Sequence, residues 1–156
     1  MTVQDISSEK DALAVKELTV KAETPVYGGY VMARDGKIMF IKGAIPGETV
    51  EVIVNDKKKD YSIASVARII EPSPFRRRPR CSLFGECGGC QLQYMDYGKQ
   101  VSVKEEVLVD AMKRIGGLDV RLMPQITGKE FNYRHRGQFK VSKDGEIGFY
   151  REGTRD

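Results

Sequence analysis

Between residues 17 and 70 turn chemistry recurs so often that no long helix can run through, and the chain must fold as short pieces that pair with one another. Five runs, at 17–22, 30–34, 37–41, 49–54 and 61–70, carry the β-branched and aromatic residues of strands. Their separators are chemically explicit. Asp35-Gly36 suits a tight hairpin, residues 43–47 hold Pro46 in a loop, and residues 55–60 form a charged hairpin tip. Five short strands in so few residues predict a small closed β-barrel. Its interior is filled by side chains such as Val20, Val31, Phe40, Val52 and Val66, with lysines and tyrosines outside.

The next stretch cannot extend that sheet. Pro72, Pro74 and Pro79 remove hydrogen-bond donors and hold the residues before them extended, so residues 73–80 read as a linker. Further on, Asp96 is placed to cap a helix that runs to about Ile115, with Val101, Leu108, Met112 and Ile115 on one apolar face. Gly116-Gly117 stops it, and the methionine and aromatic residues along it are expected in a core. Two more strands, 136–141 and 146–150, flank Lys143-Asp144-Gly145 as a hairpin. The expected organisation is a tail at 1–14, a barrel at 15–72, the linker at 73–80 and the start of an α+β domain at 81–156.

All three cysteines fall in one loop, Cys81-Ser-Leu-Phe-Gly-Glu-Cys87-Gly-Gly-Cys90, which is not how a disulfide framework distributes them. Packing is the plain reading of a cysteine, but these sit among Gly, Ser, Glu and Arg. Three thiolates converging from a loop that Gly88 and Gly89 let wrap closely imply a metal, either zinc or an iron–sulfur cluster. Both usually take four ligands. Zinc could recruit His135, the single histidine, although it lies between Arg134 and Arg136; a cluster would need a fourth cysteine from a longer parent chain.

Several segments together resemble a known family. Tyr27-Gly28-Gly29, residues 40–48 (Phe-Ile-Lys-Gly-Ala-Ile-Pro-Gly-Glu) and Ser73-Pro74-Phe75-Arg76 resemble the TRAM barrel of RNA-modifying enzymes. The cysteine loop with Gln91-Leu92-Gln93-Tyr94, Gln100, Lys104, Arg114-Ile115-Gly116 and Tyr133-Arg134-His135-Arg136 is similar to the iron–sulfur subclass of bacterial RNA uracil-5-methyltransferases. The resemblance spans about residues 15–156. It implies a mainly β, α+β chain: a small OB-like TRAM barrel followed by an incomplete α+β domain with the cluster loop. It also implies a 4Fe-4S cluster on Cys81, Cys87, Cys90 and a later cysteine, and S-adenosylmethionine bound by a further Rossmann-like domain. In the family a cysteine of that domain attacks C6 of uracil, and a carboxylate region removes the C5 proton after methyl transfer. None of the three cysteines here matches that nucleophile, so no catalytic residue is expected in this chain and it should be inactive alone. Two features depart from the pattern: the fourth cluster cysteine is absent, and His135 stands where related sequences more often carry another polar residue. The C-x5-C-x2-C spacing differs from the C-x3-C-x2-C loop of radical S-adenosylmethionine enzymes that also carry TRAM barrels.

A case for RNA also stands on the residues alone. A net charge of +4 is too modest to argue it, but Arg76, Arg77, Arg78 and Arg80 crowd one proline-stiffened linker. Such a run is by default solvated charge. Beside exposed strands carrying Tyr27, Tyr30, Lys37 and Lys42 it becomes a surface for phosphates and stacked bases. Arg134 and Arg136 alternate onto one strand face, and Lys57, Lys58 and Lys59 form a hairpin tip that either meets phosphate or only water. Gly28 and Gly29 are expected to make a tight turn. The expected partner is structured RNA, ribosomal RNA in the first place with transfer RNA as the alternative, bound by a monomer. The competing expectation is a stand-alone RNA-binding adaptor with a zinc on three cysteines and His135. No apolar run approaches the roughly 20 residues that span a bilayer, and residues 1–10 lack the regions of a signal peptide, so the chain is expected in the cytoplasm, away from membranes.

Overall fold

The computed structural model describes residues 17–154; the tail expected at 1–14 lies outside them. Six strands, β1 (Glu17–Lys21), β2 (Thr24–Val26), β3 (Tyr30–Asp35), β4 (Lys37–Lys42), β5 (Thr49–Lys57) and β6 (Tyr61–Glu71), form one sheet in the order β1-β5-β6-β4-β3-β2. Every pairing is antiparallel except β4 with β6. The sheet curls into a half-barrel because its edge strands, β1 and β2, are two parts of one bent segment. At the bend Ala22 N donates to Glu48 O at 2.9 Å and Glu23 N to Met32 O at 2.8 Å, so pairing passes from one edge of the sheet to the other.

The sequence reading missed β2, whose centre is Pro25. A proline is tolerated there because β2 is an outer strand with only β3 beside it. The Asp35-Gly36 hairpin forms as expected, with Asp35 paired to Lys37 across Gly36. Register shifts between β5 and β6 add curvature where both strands run longest.

Val20, Val31 and Val52 are buried inside the curl with Met39, Ile41, Val50 and Ala64. Phe40 is a correction. Strand alternation puts Met39 and Ile41 inward, so Phe40 lies on the other face, edge-on to Tyr61 at 5.5 Å. Val66 only borders the core.

Helix α1 (Tyr97–Arg114) starts where Asp96 caps it, accepting from Lys99 N at 2.7 Å, and ends at Ile115. Its face differs from expectation. Val103 is the buried residue, joined with Ile45, Tyr94 and Met95 in a second small core, while Leu108, Met112 and Ile115 are exposed. The barrel loop that carries Ile45 packs on the Val103 side of the helix, which is why that side is the buried one. The last hairpin forms but is short: β7 (Lys140–Val141) pairs with β8 (Ile147–Gly148) around a turn in which Ser142 Oγ accepts from Asp144 N and Glu146 N.

Candidate nucleic-acid interface

The four linker arginines part company in the structure. Arg76 turns inward to Glu48, a carboxylate with 0% of its surface exposed. Its Nε donates to Glu48 Oε1 and its Nη2 to Oε2, both at 2.6 Å, and Nη2 also reaches Gly43 O at 2.7 Å. Ile45 N and Ser73 N donate to the same carboxylate, at 2.8 and 3.0 Å. The guanidinium lies 5.0 Å from the centre of the Tyr94 ring, whose hydroxyl donates to Ala44 O at 3.1 Å. Burial alone would push the Glu48 carboxyl up. The hydrogen bonds from Arg76, Ser73 and Ile45, with the charge of Arg76, outweigh it and hold the group below the usual carboxylate range. Burial pushes the Tyr94 hydroxyl up to about 12.

Arg77 is likewise held inside the fold, its Nε donating to Gln93 O at 3.2 Å and its guanidinium pairing with Glu130. Arg76 and Arg77, both expected as RNA contacts, are thus each engaged by an acid that sequence distance hid, Glu48 and Glu130. Arg78 and Arg80 are exposed. Arg80 stacks over Phe131 at 5.0 Å, so Arg77–Glu130 and Arg80–Phe131 pin the 130–136 segment against the linker. In that segment Asn132 takes a left-handed turn (φ 58°), Tyr133 is exposed with Arg134 over its ring at 6.0 Å, and Arg134, His135 and Arg136 all face solvent. Two stretches about fifty residues apart thus meet at Glu130 and Phe131, each carrying exposed arginines.

On the barrel, Tyr27 stands 91% exposed at the β2–β3 turn. Gly29 in that turn approaches the segment after the cysteine loop so closely that a Cβ would come 3.1 Å from Gln91 Cβ. Lys42 lies beside the Tyr30 ring and pairs with Glu152 at 2.7 Å, so its charge is already met. Lys58 pairs with Asp56 within the basic hairpin tip, and Lys37 Nζ at the start of β4 donates to Lys59 O, which ties the tip to the neighbouring hairpin.

The cysteine loop is zipped to the chain's later part. Gly88 N donates to Tyr150 O at 2.9 Å and Glu152 N to Glu86 O at 2.8 Å, bridging Cys87 to Arg151. A Cβ on Gly88 would press on Tyr150 O at 3.1 Å, which gives the glycine its purpose. All three thiols are free, with Cys81 and Cys90 exposed. Their chemistry suits a thiolate-bound metal. Their placement does not complete one: among the described residues no three His, Cys, Asp or Glu side chains gather into a metal-holding group, so His135 does not join the cysteines. Glu130 and Phe131 carry no local motif and were missed by sequence reasoning, while Glu48 and Tyr94 stood inside the segments that carry the resemblance but were given no role there.

No family model matches the chain. It is 43% identical over 144 residues to a protein of Aquifex aeolicus named an uncharacterized RNA methyltransferase, covering 90% of this chain and 34% of that one. It is 35% identical over 154 residues to the 23S rRNA (uracil(1939)-C(5))-methyltransferase RlmD of Shewanella amazonensis, covering 95% and 33%. The RlmD of Dechloromonas aromatica is 40% identical over 126 residues, covering 77% and 29%. The homologues of this chain are thus RNA methyltransferases, and the chain spans about a third of the length of these relatives. Among the described residues no helix is long and apolar enough to cross a membrane.

Proposed function

We propose that this chain is the RNA-gripping portion of an S-adenosylmethionine-dependent RNA uracil-5-methyltransferase that makes 5-methyluridine in ribosomal RNA. The observation that carries the reading is the exposure of Arg78, Arg80, Tyr133, Arg134 and Arg136 on two stretches that the Arg77–Glu130 and Arg80–Phe131 contacts bring together. Exposed guanidiniums beside exposed rings offer charge to phosphates and flat faces to unpaired bases. Tyr27 adds a further stacking face on the barrel. The identity to RNA methyltransferases over nine-tenths of the chain supports the same assignment. By itself the chain binds RNA as a cytoplasmic monomer and transfers no methyl group. The barrel, linker and cysteine-bearing part are its working divisions.

The cysteines belong to the same proposal. Cys81, Cys87 and Cys90 would be three thiolate ligands of a 4Fe-4S cluster, which would have to draw together thiols that the described structure does not gather and would take its fourth ligand from a cysteine this sequence does not contain. Anaerobic isolation with iron, sulfide and zinc analysis tests it: iron and sulfide in equal amounts are expected, and stoichiometric zinc without sulfide refutes it.

The RNA reading is tested by titrating a ribosomal RNA stem–loop against the chain over a salt series. Arg78→Ala with Arg134→Ala should weaken binding and reduce the slope of log K against log salt by roughly 0.7–0.9 for each phosphate that is no longer neutralised. An unchanged slope would remove these arginines from the interface.

A further inference from the structure

We infer that Glu48, Arg76 and Tyr94 are positioning residues that lock the barrel to the linker, so that Tyr27 on the barrel and the Arg78–Arg134 surface meet one RNA as a single preformed site. The inference rests on the RNA reading above and adds to it the means by which two surfaces act together.

The joint is saturated from within. An ionised carboxylate offers about four acceptor positions, and Glu48 fills them with Ile45 N, Ser73 N and two atoms of the Arg76 guanidinium. The first donor belongs to the barrel loop and the others to the linker, so the buried charge is shared across the boundary. Tyr94 closes the third side, its ring under the guanidinium and its hydroxyl on Ala44 O. Main-chain bonds from Arg77 N to Tyr94 O and from Asp96 N to Phe75 O, both at 2.9 Å, then carry the linker alongside the segment that follows the cysteine loop. Ile45 of the barrel loop completes the small core with Met95 and Val103.

No atom of Glu48 is left to meet RNA, and the Arg76 fork is held by partners 2.6 and 2.7 Å away. Their contribution to binding therefore comes through geometry. Two weak contacts on a rigid frame bind as one strong contact, because the second costs no further entropy; on a loose hinge much of that gain disappears.

The test compares variants of the 156-residue chain on one ribosomal stem–loop RNA across a salt series. Arg76→Lys keeps the charge and gives up the two-pronged grip on Glu48. It should weaken binding about tenfold at every salt concentration with the log–log slope unchanged. Arg78→Ala should instead lower the slope. A folded Arg76→Lys protein with wild-type affinity overturns the inference, and so does a flattened slope, which would make Arg76 a phosphate contact. Nitrogen-15 relaxation of the unmodified chain supplies a measurement independent of whether the variant folds. Residues 17–71 and 75–114 should tumble as one body, and separate tumbling overturns the joint. If the unmodified chain binds no RNA at any salt, the RNA reading itself falls and this inference goes with it; binding without sensitivity to Arg76→Lys refutes the joint alone.

Discussion

Residues 17–71 and 116–154 draw on similar apolar side chains and treat them in opposite ways. In the first stretch ten residues, among them Val20, Val31, Ile41 and Val52, close into one core. In the second no described residue is buried, and Met123, Ile126, Tyr133, Phe139 and Ile147 stand in solvent. The difference is one of neighbours. Each barrel strand has partners that curl the sheet over its own inner face, whereas β7 and β8 pair only with each other over two residues each. A two-stranded ribbon cannot enclose anything, and its stability is marginal without a further layer. Between these extremes, residues 73–114 gain a small core by leaning on the barrel loop at Ile45.

The contrast can be broken most sharply at the joint. Arg76→Met leaves Glu48 charged, buried and short of its main partner, and should cost about 4 kcal/mol, read as a fall in the denaturation midpoint. A loss below about 1 kcal/mol would mean that water or another donor replaces the guanidinium. Inside the barrel, Ile41→Ala removes a fully buried side chain and should cost about 3 kcal/mol by the same measurement.

Acid sharpens the comparison. Glu48 is held below its usual value, so its contribution is present above the unfolded carboxylate value near 4.5 and is lost as pH falls through the lower folded value. The melting temperature should drop steeply below about pH 4.5 in the unmodified chain and less steeply in Glu48→Gln. Glu51, half-buried on the sheet and also lowered by its hydrogen bonds from Arg68, pushes in the same direction, and parallel curves for the two proteins would assign the acid effect to groups such as this one. The smallest effect is expected in the exposed stretch, where Ile126→Ser should shift stability by no more than about 0.5 kcal/mol. A larger loss would show that this surface is covered in solution.

Much of the barrel was legible because its signals are local. The strand runs, Asp35-Gly36 and the Asp96 cap each depend on neighbours within a few residues. Phe40 was misplaced because the 37–42 run is apolar at four successive positions, from Ile38 to Ile41, and alternation could not choose its inner face. The helix face was misjudged for a related reason: α1 is apolar on more than one side, and only contact with Ile45 selects Val103.

The interface was half legible. Arginine-rich stretches at 76–80 and 134–136 and the three-cysteine loop are visible as composition and spacing. Which arginines face water is not, since Glu48 lies 28 residues before Arg76 and Glu130 lies 53 after Arg77. By itself the sequence determined the short strands, the turns, the capped helix and the supply of basic, aromatic and thiol groups, because each follows from local backbone chemistry. Only the tertiary structure decided that Arg76 and Arg77 hold the molecule together while Arg78, Arg80, Arg134 and Arg136 are left exposed, because pairing a charge depends on which distant residue folding carries to it.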